Sequence, residues 1–151
     1  MKYVDRVLQP GETVRHVSRV HWIVYLPGVG LCLVGLIGYG IFVGDGSHTV
    51  LHGVVIVALG VGLLSMISAW FRRWTTEIAV TDRRVIYKRG FIRRHTIEMN
   101  MDKVESVDVN QSILGRILDY GTIIVRGTGA GLEPLTSIDS PIEFRNSVTA
   151  R

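Results

Sequence analysis

Two long stretches of this chain carry no formal charge, and nothing else in the sequence constrains its fold as strongly. Residues 22–43 and 51–71 contain no Asp, Glu, Lys or Arg. As helices rising about 1.5 Å per residue they cover roughly 33 and 31 Å, enough for a hydrocarbon core of about 30 Å. A helix of a soluble protein normally keeps a polar stripe, and neither stretch has one. Asp45 is the only formal charge between Arg19 and Arg72, whereas 13 of the 17 Lys and Arg residues lie from Arg72 onward. Such a split describes a membrane protein carrying a polar domain, and 151 residues leave room for about one domain. It excludes disorder and a secreted disulfide scaffold. Cys32 is the only cysteine, so an intrachain disulfide and a cysteine-rich zinc site are excluded too.

The link from Gly44 to Val50 is short, so the two spans are expected to form an antiparallel hairpin. It contains no Lys or Arg, while Arg15, Arg19, Arg72 and Arg73 flank the pair. The positive-inside rule then puts both termini in the cytoplasm and the link outside. His21, Trp22, Trp70 and Trp74 fall at the inner ends, where amphipathic rings prefer the headgroup level. Gly40 and Gly44 form a GxxxG pair, and Ala58 and Gly62 repeat the spacing in the second span. Small residues let helix backbones approach in lipid. Here they serve either the hairpin itself or contacts between protomers.

After Arg73 the period changes from helix to strand. Strands are expected over 76–80, 85–88, 91–99, 104–109, 122–126 and 135–138, separated by turns. Ile113, Leu114, Ile117 and Leu118 are spaced for one or two helical turns between the fourth and fifth. Ser140-Pro141-Ile142-Glu143 reads as a capped helix start. Before the spans, Pro10-Gly11 between two valine-rich arms suggests a β-hairpin. The expected organisation is therefore an N-terminal hairpin over 1–21, a transmembrane hairpin over 22–71 and a mainly-β domain over 72–151. The last is an antiparallel sandwich or barrel capped by a C-terminal helix.

Four blocks carry a resemblance. They are Leu8-Gln9-Pro10-Gly11-Glu12 with His21-Trp22, the two spans, the run from Glu77 to Tyr87 (EIAVTDRRVIY), and the run from Gln111 to Gly121 (QSILGRILDYG). In this order they resemble the membrane-anchored bacterial pleckstrin-homology-like proteins, whose domain was long classed as one of unknown function. The resemblance implies a seven-stranded barrel-like sandwich with a C-terminal helix, a bacterial inner-membrane location, no enzymatic activity and no agreed ligand. In eukaryotic pleckstrin-homology domains the region corresponding to 83–94 binds phosphoinositide headgroups.

Chemistry is sparse. His48 and His52 with Asp45 would make an external metal site, but three or four converging ligands are needed, and no metal or other cofactor is expected. Gly127-x-Gly129-x-Gly131 lacks the helix and the Lys-Ser/Thr of a phosphate loop. The remaining signal is Arg83, Arg84, Lys88, Arg89, Arg93 and Arg94, which a hairpin would gather into one patch. An anionic leaflet attracts each such charge by about 1 kcal/mol, so these six are the candidates for lipid-headgroup contact, set against a merely solvated face. From Arg72 onward 13 basic residues face 10 acidic ones, and no aromatics interleave with the basic run, so nucleic acid is not an expected partner. The expected partners are the lipid bilayer, further copies of the chain and a membrane-protein partner. The function expected is binding or scaffolding without catalysis, with an accessory subunit of a larger membrane enzyme or transporter as the alternative.

Overall fold

The computed structural model describes residues 3–42, 49–90, 95–128 and 134–150. Gly44, His48, Arg93 and Arg94 lie outside them. The chain forms two compact units. Trp22–Phe71 is one, and the other combines the chain up to His21 with the chain from Arg72 onward.

Helices α1 (Tyr3–Val7), α2 (Leu26–Phe42) and α3 (Thr49–Thr75) are the first three of the chain. A 3₁₀ turn over Trp22–Tyr25 leads into α2, whose second residue is Pro27, a position where a missing N–H costs nothing. Both helices of the apolar unit are long and apolar enough to cross a membrane. Their outer side chains, such as Val34, Ile37, Ile56 and Leu64, are 63–67% exposed. α3 runs past the expected limit of 71, because nothing from Phe71 to Thr75 breaks it and Arg72 and Arg73 suit the negative end of its dipole.

Glycines set the approach of α2 to α3. A Cβ on Gly62 would lie 2.5 Å from Cys32 Sγ and 3.2 Å from the Gly28 carbonyl oxygen. One on Gly28 would meet Met66, and one on Gly35 would meet Leu59. Gly40, in contrast, faces open space among the described residues, with no other element within 4 Å of an added Cβ.

The second unit holds two antiparallel sheets. β1 (Val14–Ser18), β2 (Glu77–Thr81), β3 (Arg84–Arg89) and β4 (His95–Asn100) form the first in that order, and β5 (Val104–Asn110), β6 (Tyr120–Gly127) and β7 (Leu135–Asp139) the second. β1 joins the sheets. It pairs with β2, and the chain beyond it bridges to β7 through Val20 and Ile138. The His21 amide then donates to Ser137 O at 2.7 Å. Short α4 (Ile113–Ile117) connects β5 to β6, and α5 (Pro141–Thr149) closes the sandwich. Ile78, Val80, Val85 and Tyr87 of the first sheet, Ile123, Val125, Leu135 and Ile138 of the second, and Phe144 and Val148 of α5 make the core.

Two expectations need correction. The arm before Pro10-Gly11 is helix α1, not a strand, because Val4, Val7 and Leu8 share one helical face. Val4 is buried, and α1 packs on β2, covering the outer face where Ala79 and Ile86 are buried. The N-terminal segment is therefore part of the β domain and not a separate hairpin. Ser140 does not cap α5 with its side chain. Its backbone is left-handed (φ 47°), and its hydroxyl donates to Asp119 Oδ2 at 2.8 Å.

Candidate functional site

The basic residues expected to form one patch are divided by β3. Arg83 is exposed in the turn before the strand, and Arg89 is exposed at its far end, six residues or about 20 Å away. Arg84 and Lys88 point to the outer face of the sheet, where α1 covers them. Lys88 lies 4.0 Å from Glu77 and 5.1 Å above the Tyr3 ring. Arg84 is buried. It clamps Glu12 with Nε–Oε1 at 3.0 Å and Nη2–Oε2 at 2.9 Å, reaches Glu98 Oε2 at 2.6 Å, and donates to Val7 O. A guanidinium with its donors spent inside the fold cannot meet a headgroup, so Arg84 leaves the candidate set. Its role is to tie the N-terminal segment to the sheet.

Burial pushes the Glu12 carboxyl up, but donors outweigh it: Arg84, the Gln9 amide at 2.8 Å and the Thr81 hydroxyl at 2.7 Å hold its pKa at about 2. Arg84 is held above its ordinary value by the hydrogen bond to Glu12, against its own desolvation. Gly11 makes this possible, since its φ of 77° turns the chain and brings Glu12 back under the sheet.

At the other end of β3 the core opens into a cavity of about 20 Å³. Strand alternation explains its lining. Thr76 continues the inward series of Ile78 and Val80, and Arg89 continues that of Val85 and Tyr87. The register Glu77↔Lys88 makes Thr76 and Arg89 the next opposed positions. Arg72 reaches the same cavity, its Nη2 donating to Thr136 Oγ1 at 2.6 Å. In the sequence Arg72 reads only as a topology signal and Thr76 as a plain strand residue. The alternation of Thr76, Ile78 and Val80 was the available signal.

Within the second unit, α4 displays apolar side chains to its surroundings. Ile113 is 80%, Ile117 73% and Leu114 63% exposed, and Leu118 beside them is exposed as well. One and a half turns pinned at both ends cannot bury residues on two sides. Ser112 accepts from the Gly115 amide at 3.0 Å, and Gln111 Nε2 donates to the carbonyls of Gly115 and Tyr120. Gly115 packs so tightly that a Cβ would lie 2.6 Å from Tyr120 O. Tyr120 in turn stacks on His21, with centroids 5.2 Å apart and planes at 22°. His21 is buried, and its ring packs inside the domain. It therefore cannot serve as the lipid-facing anchor expected of it, whereas Trp22, Trp70 and Trp74 are exposed.

A second cleft, about 530 Å³, runs between β5 and the end of α5. Asp82, Asp102 and Glu105 line it together with Arg15, which donates to the Ala150 carbonyl. Among the described residues no strand pairs with the outer edge of β5, and no group of His, Cys, Asp and Glu could hold a metal ion.

Two antiparallel sheets closed by a C-terminal helix, joined to two helices of membrane-crossing length, define a PH-like domain on an apolar helical pair. The chain belongs to the bacterial PH domain family, whose model matches residues 23–151. No curated protein and no solved structure matches it.

Proposed function

We propose that this protein is a non-enzymatic platform of the bacterial inner membrane, anchored by its two apolar helices with both termini in the cytoplasm. The observation that carries this reading is the exposed apolar surface of α4 next to the His21–Tyr120 stack, His21 being the residue before the apolar unit. An exposed patch of this kind marks a protein or membrane contact. Its position in the chain favours the interfacial region of the bilayer, with Arg116 and Arg89 available to phosphates. The composition of the domain supports one compartment for both flanks: its strands come from before and after the apolar helices, and one domain cannot fold across a bilayer. The positive-inside rule makes that compartment the cytoplasm.

A second role, binding a membrane-protein partner or another copy of the chain, is favoured by the unpaired edge of β5 beside its cleft, because open edges invite strand addition. Serving as an accessory subunit of a larger complex is a form of this role.

The test is the depth of α4. A bimane probe on Leu114→Cys, in a Cys32→Ala background, is read in the full chain in nanodiscs containing brominated lipid. Strong quenching at 114, with little at a control probe on Asn146→Cys of α5, supports the platform. Equal, weak quenching at both positions would contradict leaflet docking and leave α4 as a protein-docking surface.

A further inference from the structure

We infer that the cavity between Arg72, Thr76 and Arg89 is a binding site for a phosphate group, a proposal that deepens the leaflet-docking reading and rests on it. Four observations converge there. Arg72 and Arg89 line one cavity, and among the described residues no carboxylate does. Neither Arg72 nor Arg89 has a carboxylate partner among the described residues. Thr76 is 94% buried, and its hydroxyl has no hydrogen-bond partner among the described residues. Finally, Arg72 is fixed at the wall by Thr136 through one of its five N–H donors, leaving the others available.

A buried hydroxyl without a partner lowers stability, and two unneutralised guanidinium groups at one opening repel each other. A single anion relieves both. The cavity of about 20 Å³ admits one atom group the size of an oxygen. One phosphate oxygen fits inward toward Thr76, while the remaining oxygens stay at the mouth for Arg72 and Arg89. Arginine suits this task because its planar fork binds phosphate through paired hydrogen bonds. A water molecule could satisfy Thr76 but would leave both charges uncompensated. Arg72 follows directly on Phe71, the last residue of the apolar unit. If α3 spans the bilayer, that position lies at headgroup depth and the phosphate belongs to a lipid. Free phosphate offers the same chemistry, and the experiment separates the two sources.

The full chain in a neutral detergent is titrated with dioctanoyl phosphatidic acid, with inorganic phosphate and with dioctanoylglycerol, which has no phosphate. The rise in melting temperature reports binding. Phosphatidic acid should stabilise the wild type, and dioctanoylglycerol should not. Arg89→Gln should weaken the apparent affinity at least tenfold. Thr76→Val keeps shape and charge, should match or exceed the wild type in stability without ligand, and should still lose affinity severalfold. Stabilisation by inorganic phosphate as strong as that by phosphatidic acid supports the site with a soluble ligand. Full response retained in Thr76→Val would overturn the proposal, since attraction to surface charge alone needs no hydroxyl. Absence of any response to either phosphate probe would overturn it as well, with the Thr76 hydroxyl then meeting only water. Either failure leaves the α4 depth measurement standing on its own.

Discussion

Glu12 shows how one residue decides which charges are free to act. In the sequence it is one acid in a polar N-terminal segment, and Arg84 is one of six neighbouring basic residues. Nothing in their spacing couples positions 72 apart, so the pair could not be read before the fold was known. Arg83, adjacent to Arg84, stays exposed because it occupies the turn and not the outer face of the strand. The pair has a pH signature. Glu12 ionises near pH 2 in the folded protein and near the usual 4.5 when unfolded. The stabilisation is thus complete above about pH 4.5 and lost as pH falls toward 2, where the folded carboxylate takes up its proton. Melting followed by circular dichroism from pH 7 to 2.5 should show this loss in the wild type. Glu12→Gln should lower stability by about 3–5 kcal/mol at pH 7, the usual cost of leaving one buried partner unpaired. Its own stability should be flatter between pH 4.5 and 2.5.

Among the elements, the strands after Arg73 were legible because alternating apolar residues sit between clear turns. Each of the strands expected from 76 to 138 has a described counterpart, although residues 91–94 of the third lie outside the description. Helix α1 was not legible as a helix. Pro10-Gly11 is a strong turn signal, and five residues are too few for a helical period to stand out. The spacing in α4 did show helical turns, but no pattern in a sequence tells an apolar residue that is buried from one that is displayed. In the apolar unit, GxxxG spacing marks small residues without saying which way each faces. Gly62 sits in the contact between α2 and α3, and Gly40 does not. Gly62→Leu should therefore destabilise the helix pair by about 1–3 kcal/mol or more, since backbone as well as side chain blocks the new atoms. Gly40→Leu should stay within about 0.5 kcal/mol of the wild type, as for a substitution that touches nothing. Unfolding of the full chain in detergent, followed by tryptophan fluorescence, checks both. Cross-linking of the same variants in native membranes assigns Gly40: loss of a wild-type dimer band in Gly40→Leu makes its face a contact between protomers.

The whole molecule is organised by one feature, a domain whose first strand precedes the apolar helices and whose other strands follow them. As sequence, the N-terminal segment reads as a hairpin too short to fold alone, resting on the C-terminal domain or on the membrane surface. Pairing of β1 with β2, the link from His21 to β7 and the Glu12–Arg84 clamp make them one unit. His21 and Arg72, the residues flanking the apolar unit, are both tied to neighbouring positions of β7, at Ser137 and Thr136. In the proposed anchoring the two flanks share a compartment, and the charge distribution favours the cytoplasm. Labelling with an impermeant thiol reagent tests this claim most directly, in intact spheroplasts expressing the full chain with Cys32→Ala and a new cysteine at either Ser47 or Thr149. The account requires reaction at 47 before lysis and at 149 only after it. Reaction at 149 in intact cells, or protection at 47, would contradict a cytoplasmic platform held by a two-helix anchor.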